Sequence, residues 1–199
     1  MTSHPCAARW LRRGAFTLLA TGLSLLGWVL AAHFSTDLYQ ARQERAFFSV
    51  SPEVSADPAA TATGADPLVL GRIEIPRIGV AAIVREGEDD TTLAVAVGHI
   101  TGTARPGERG NMALAGHRDS FFRSLRDIEP EDTIQIVTQQ RSYEYAVDWT
   151  EVVDPEDTWV LAPTDDTVLS LVTCFPFDWV GHAPRRFIVR ASLVVPAPG

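Results

Sequence analysis

Three kinds of reactive side chain stand next to strand-like runs in this chain: a thiol, an imidazole and a guanidinium. Cys174 ends the run TVLSLVTC, His117 directly follows NMALAG, and Arg185 and Arg186 stand where the run RFIVRASLVV begins. A cysteine can attack a carbonyl carbon, a histidine can pass a proton to the leaving group, and an arginine can donate to a developing oxyanion. Together these residues could carry out acyl transfer, provided that the fold brings the three strand ends to one place.

The use of cysteine is compatible with a chemical role for Cys174. The chain has two cysteines, Cys6 and Cys174, and an uncharged apolar stretch lies between them. If that stretch crosses a membrane, the two thiols cannot form a disulfide. An unpaired thiol in an exported domain is either a reactive nucleophile or an inert buried side chain, and the cysteine count leaves both open.

The chain from Leu68 onward has the pattern of a mainly β fold. Seven apolar or alternating runs predict strands, at 69–75, 79–84, 111–116, 133–138, 142–149, 167–174 and 186–195. Short helices are predicted over 90–97 and 120–128. Many short strands with few helices favour a small β-barrel or a sandwich, in which strand ends gather at one rim.

The N-terminal region predicts a membrane anchor. Residues 14–34 are 21 residues without a formal charge, which as a helix would be about 31 Å long and match a bilayer core. The preceding residues 1–13 contain three arginines and no acid, which predicts a cytoplasmic N-terminus. A cleaved secretory signal is the alternative. On either interpretation the rest of the chain lies outside the cytoplasm, with a stalk and linker over 35–67.

Charge and ligand patterns exclude several classes of function. With 17 basic and 25 acidic residues the net charge is −8, which disfavours nucleic acid as a partner. The acidic run from Glu86 to Asp90 is better explained by Asp90 or Thr91 capping the next helix than by calcium. No ligand spacing for zinc is present. We therefore expect no metal and no other cofactor.

Four segments in fixed order carry a family resemblance. They are VGHI from Val97, PGERGNMALAGHRDSFFRSLRDI from Pro106, SLVTC from Ser170 and RRFIVRA from Arg185. Residues 70–192 thereby resemble the sortases, a family of membrane-anchored cysteine transpeptidases. The short chain, GHRD and TCFPF look most like the class D or Gram-negative-type group.

The resemblance implies a fold and a set of site residues. The fold would be a closed eight-stranded β-barrel with short helices over 68–199, preceded by the transmembrane helix. The catalytic residues would be Cys174, His117 and Arg186, with Arg185 as the alternative arginine because neighbours on a strand face opposite sides. Ser170 stands where the family motif has threonine. His99 resembles a structural position of the family. The candidate substrate contacts are Thr173, Phe175, Phe177, Trp179, His182 and Arg185.

The resemblance also implies a reaction and its partners. An exported protein would be cleaved at a C-terminal sorting signal of the Leu-Pro-x-Thr-Gly kind and held as a thioacyl enzyme. An amine from a cell-wall precursor or a pilin lysine would then accept the acyl group. The enzyme would be a single-pass membrane protein with its catalytic domain outside. Two alternatives remain, a sortase-like protease that mainly hydrolyses and an anchored binding module with a vestigial triad.

Overall fold

The computed structural model describes residues 5–48 and 66–194. The chain divides into two compact units, Met1–Tyr39 and Gln40–Gly199. One helix, α1 (Pro5–Phe48), supplies the described part of the first unit and begins the second. The helix expected over 14–34 and its continuation to Phe48 are therefore confirmed as helical. Over the described residues, no helix combines the length and the apolarity needed to cross a membrane.

Eight strands form a closed barrel in the second unit. In chain order they are β1 (Val69–Ile75), β2 (Val80–Glu86), β3 (Val97–His99), β4 (Gly110–Ala115), β5 (Thr133–Val137), β6 (Ser142–Val153), β7 (Thr167–Phe175) and β8 (Arg185–Leu193). Their order around the barrel is β1-β2-β3-β4-β7-β8-β6-β5. The pairs β2/β3 and β4/β7 are parallel, and the others are antiparallel. The closed eight-stranded barrel expected from the resemblance is confirmed.

The barrel interior is filled by side chains that alternate along the strands. In β1, buried and half-buried residues alternate without exception, as a strand with one core-facing side requires. Side chains from most of the strands are completely buried in one cluster, including Ile73, Leu114, Tyr145, Leu169 and Val189. This packed interior leaves the rim, where strands end, as the place for chemistry.

The predicted helix over 90–97 is wrong at its C-terminal end. Helix α2 covers only Asp90–Leu93, and Val97 begins strand β3. A three-residue strand is too short to show a hydrophobic period, so no strand is predicted there. The strand needs Gly98, because an added Cβ would lie 2.4 Å from the carbonyl oxygen of Gly87.

Two local expectations are also corrected. Asp89, not Asp90 or Thr91, caps α2, and its carboxylate accepts from the backbone N–H of Thr91 at 2.9 Å and of Thr92 at 3.1 Å. Hydrogen bonds from the hydroxyls of Thr91 and Thr92, together with those from the two backbone N–H groups, hold the pKa of Asp89 well below its usual range. The helix predicted over 120–128 is a shorter 3₁₀ helix, Arg123–Asp127.

The C-terminal turns of α1 pack against the barrel. The Gln40 side chain accepts from the N–H of Ile83 at 2.8 Å and donates to the carbonyl of Val95. Phe47 is buried in a cluster with Val69 and Ile83. Part of the segment predicted as a stalk thus belongs to the same compact unit as the barrel. Most of the predicted linker that follows lies outside the described residues.

Candidate active site

The cysteine and one of the two arginines are neighbours across two antiparallel strands. Cys174 on β7 pairs with Arg186 on β8, and Phe175 pairs with Arg185. Residues directly opposite each other have their Cβ atoms about 5 Å apart on the same face of the sheet. Cys174 is half-buried and has a free thiol. The register therefore places one guanidinium beside the thiol.

The histidine is brought to the same rim by the strand on the other side of β7. Ala115 at the end of β4 lies beside Val172, and the N–H of Gly116 donates to the Val172 carbonyl at 3.2 Å. The buried Thr173 hydroxyl donates to the Gly116 carbonyl at 2.7 Å. His117 follows this double attachment directly, so its backbone is held next to the end of the cysteine strand.

A glycine before the histidine is a steric requirement. A Cβ on Gly116 would lie 2.7 Å from a ring carbon of Phe122, whose side chain is completely buried. The Phe122 N–H also donates to the His117 carbonyl at 3.1 Å, which closes the loop after β4. Gly116 is therefore packed tightly at the end of the strand, and the exposed His117 follows it directly.

One cavity joins the predicted catalytic residues. It has a volume of about 400 Å³ and is lined by His117, Arg118, Asp119, Cys174, Gly181, His182, Ala183 and Arg186. A thiol, an imidazole and a guanidinium therefore surround one open space, as nucleophilic acyl transfer requires. His182, predicted as a substrate contact, also lines this cavity.

The two adjacent arginines have different surroundings. Arg186 lines the cavity and donates from Nη1 to the carbonyls of Ala183 at 3.3 Å and Arg185 at 3.0 Å. Arg185 does not line it, and its Nε lies 3.5 Å from an Asp154 carboxylate oxygen. Since successive side chains point to opposite faces of a strand, only Arg186 is placed to act with Cys174.

The remaining predicted substrate contacts lie outside this cavity. Phe175 and Phe177 pack against Phe187, with ring centroids 6.3 and 5.3 Å from its centroid. The Trp179 indole N–H donates to the carbonyl of His182 at 3.0 Å. Thr173 is buried, with its hydroxyl used within the protein. Their contact with substrate, like that of Arg185, stays a prediction.

Sequence reasoning did not give Arg118 a role. Its Nη2 donates to the carbonyls of Trp179 at 2.7 Å and Gly181 at 3.0 Å. It thereby ties the loop after His117 to the loop between β7 and β8, which contributes His182 to the cavity. The motif GHRD contains this arginine, but its partners lie about sixty residues further along and only the folded topology shows them.

His99 and the acidic run are not part of the site. His99 is buried, with Nδ1 3.1 Å from a Glu86 carboxylate oxygen and Nε2 2.9 Å from the Ala104 carbonyl oxygen. Its expected packing and hydrogen-bonding role is confirmed. Within residues 5–48 and 66–194, no group of three or more His, Cys, Asp or Glu residues is placed to hold a metal ion.

Comparison with known proteins gives the family. The model of a family described as the sortase domain matches residues 73–194, which include all three predicted catalytic positions. The chain belongs to the sortase family. The conclusion agrees with the barrel and with the cavity at its rim.

Two curated sortases show how this member relates to others. Sortase D of Bacillus subtilis is 35% identical over 125 residues, which are 62% of this chain and 63% of that protein. Sortase A of Listeria monocytogenes is 28% identical over 129 residues, 63% of this chain and 56% of that protein. The chain therefore spans less than two-thirds of the length of these curated relatives.

Solved sortase structures are similar over most of this chain. A Clostridium perfringens structure described as a Sortase D5 transpeptidase aligns with a TM-score of 0.64 and 27% identity, covering 78% of this chain and 99% of that one. Sortase A of Corynebacterium diphtheriae aligns with a TM-score of 0.62 and 28% identity, covering 84% and 83%. A class D sortase is therefore present both among the similar curated proteins and among the similar solved structures, in agreement with the class D resemblance of the sequence.

Proposed function

We propose that this sortase is a cysteine transpeptidase that cleaves a C-terminal sorting signal of exported proteins and transfers the acyl part to an amine. The observation that carries the proposal is the cavity shared by Cys174, His117 and Arg186. Each residue comes from a different strand end, and the three supply the nucleophile, the proton carrier and the oxyanion donor of acyl transfer.

In the first half-reaction, the Cys174 thiolate attacks the carbonyl carbon before the scissile bond. A C–S bond forms, and the carbonyl oxygen becomes an oxyanion that the Arg186 guanidinium stabilises by donating hydrogen bonds. The intermediate then collapses and the C–N bond breaks, while His117 gives its proton to the departing amine. The product is a thioacyl enzyme.

In the second half-reaction, an amine attacks the thioester carbonyl. A C–N bond forms, the C–S bond breaks, and the amine proton passes to His117, which restores the starting state of the enzyme. Water in place of the amine gives a free acid and makes the enzyme a protease. The amine of a cell-wall precursor or of a pilin lysine is the acceptor that the family relationship suggests.

We propose further that the N-terminal part of α1 anchors the enzyme in the membrane, with the barrel on the outer side. Residues 14–34 have no formal charge and follow three arginines. Within this stretch, Phe16, Leu18 and Trp28 are more than 70% exposed on the helix surface. Membrane fractionation and protease digestion of intact cells test this location, and a barrel protected from external protease would contradict it.

Mass spectrometry on the full chain tests the activity. The chain is incubated with a library of Leu-Pro-x-Thr-Gly-type peptides and a small amine, beside Cys174→Ala. Amine in the cleaved product and an acyl adduct on Cys174 are expected, and both should be absent from the variant. Acid product alone would replace transpeptidation by hydrolysis. A folded chain that neither cleaves nor forms an adduct would favour a binding module.

A further inference from the structure

A second pocket adjoins the active-site cavity and is rich in arginine. Its volume is about 250 Å³, and its lining consists of Arg118, Asp119, Arg123, Arg126, Phe177, Asp178 and Trp179. We call it the arginine pocket. Arg118 and Asp119 line both spaces, so a molecule in the active-site cavity can reach into this pocket.

The charge of the arginine pocket is opposite to that of the whole protein. Three arginines and two aspartates give the lining a net charge of +1, whereas the chain carries −8. Arg126 is the arginine with an ion pair, at 3.3 Å to Asp178, and its guanidinium also lies 5.5 Å from the Phe177 ring centroid. Aspartate therefore offsets only part of the positive charge.

The other two arginines have spare donors. Within the described part of the chain, neither Arg118 nor Arg123 forms an ion pair with a carboxylate. Arg118 uses Nη2 on two backbone carbonyls, and its buried Nη1 has no hydrogen-bond partner. A guanidinium whose hydrogen-bonding capacity is unused favours an anion, and its planar fork matches a carboxylate.

We propose that the arginine pocket binds a carboxylate of the substrate, on a residue close to the reacting carbonyl or the reacting amine. The volume suits one acidic side chain, since it is below the range that takes a drug-sized ligand. Arg123 meets the carboxylate from the exposed side, and Arg118 adds its positive charge at the junction with the active-site cavity. This inference rests on the proposed transpeptidase function.

Matched acid and amide substrates test the proposal and show which substrate carries the carboxylate. In the peptide arm, Glu and Gln are compared at the x position of Leu-Pro-x-Thr-Gly and at the position after Gly. In the amine arm, the C-terminal amide of glycyl-glutamate is compared with the C-terminal amide of glycyl-glutamine as acceptor, so that only the side chain differs. The arm that contains the recognised carboxylate is expected to show a preference for the glutamate substrate of about tenfold in kcat/KM, which is a typical effect of a charge-assisted hydrogen bond. The other arm is expected to show none.

Variants decide whether the arginine pocket causes that preference. Arg123→Gln is expected to reduce the rate on the glutamate substrate to that on its glutamine partner. Arg109→Gln is the matched control, because Arg109 is exposed just before β4, at the opposite end of that strand from His117, and should keep the preference. Equal rates on both substrates in both arms, or a preference that survives Arg123→Gln, would overturn the proposal.

Calorimetry separates this inference from the proposed function. The full chain with Cys174→Ala is titrated with the same peptide and amine pairs, and the glutamate ligand of one pair is expected to bind about tenfold more tightly than its glutamine partner. Adding Arg123→Gln should remove the difference. Selective binding without any turnover by the unmodified chain would keep the arginine pocket and refute the transpeptidase. Equal binding in every pair would refute the arginine pocket.

Discussion

The hydroxyl of Thr173 donates to the carbonyl of Gly116, so that the residue before the cysteine is bonded to the residue before the histidine. The bond is 2.7 Å long and buried, and it joins β7 to the loop that follows β4. The relative position of Cys174 and His117 is therefore supported by a side chain that does not line the active-site cavity.

Thr173→Val should lower both stability and activity. Valine keeps the shape but leaves the buried Gly116 carbonyl without its donor, which should cost about 1–2 kcal/mol in the free energy of unfolding. The rate should fall more than stability explains, because His117 is no longer held against the cysteine strand. Denaturant unfolding and kcat measured on the same preparation check this, with Thr173→Ser as the control that restores the bond. Equal losses of activity in both variants would refute the role.

The two arginines that open β8 should respond differently to lysine. Arg186→Lys is expected to reduce kcat by about a hundredfold, because a point charge cannot reproduce the planar donor fork beside Cys174. Arg185→Lys should change kcat little, since Arg185 lies by Asp154 and away from the cavity. Steady-state kinetics on both variants check the assignment. A dead Arg185→Lys beside an active Arg186→Lys would reverse it.

Phe47 should contribute to the stability of the barrel even though it lies in the N-terminal helix. Phe47→Ala removes a ring buried against Val69 and Ile83, and the expected loss is about 3 kcal/mol in the free energy of unfolding. Arg42→Ala, at an exposed position of the same helix, should stay within about 0.5 kcal/mol of the unmodified chain. Unfolding curves that are the same for the two variants would show that the helix end does not support the barrel.

Asp132 should give the protein an acid-dependent part of its stability. The Arg77 side chain hydrogen-bonds to it and holds the pKa of the Asp132 carboxyl below its ordinary value. The folded state therefore binds the proton less tightly than the unfolded state does. The stabilisation is complete above about pH 4, the ordinary aspartate pKa, and is lost as the pH falls through the lower folded pKa.

Unfolding of Asp132→Asn between pH 7 and pH 2 tests this linkage. The variant should be less stable than the unmodified chain at pH 7, and the gap should narrow as the pH falls below about 4. Asp127→Asn, which alters a nearby exposed carboxylate, is the control and should differ less from the unmodified chain at pH 7 than Asp132→Asn does. A gap that stays constant over the whole range would exclude the Arg77 pair as the cause.

Strands with a visible hydrophobic period could be predicted from the sequence, and a strand without one could not. The run around Tyr145 alternates clearly and is a strand, whereas β3 has only three residues, of which the predicted helix covers Val97 and no strand prediction covers the other two. Closure of the sheet into a barrel has no local signal and was expected only from the family resemblance. The 3₁₀ form of the segment after Phe122 also depends on packing that the pattern does not show.

For the site, the candidate reactive residues could be predicted from the sequence, but the hydrogen bonds that hold them in place could not. Cys174, His117 and Arg186 are predicted from their chemistry and their strand-end positions, and the structure brings all three to one cavity. Arg118 was missed because its partners are backbone carbonyls, which no sequence pattern marks. Thr173 was assigned to the substrate, although the structure uses its hydroxyl within the protein.

The parallel pairing of β4 with β7 has a consequence for the timing of activity. Gly110 lies beside Thr167, so this pairing joins segments far apart along the chain, and contacts of that kind make folding slow. Until this pairing forms, His117 is not held beside Cys174, even where β7 and β8 have already paired. An unfolded chain therefore carries the Cys174 thiol without the cavity on which the proposed catalysis depends. Recovery of activity on refolding should coincide with barrel closure and should not precede it.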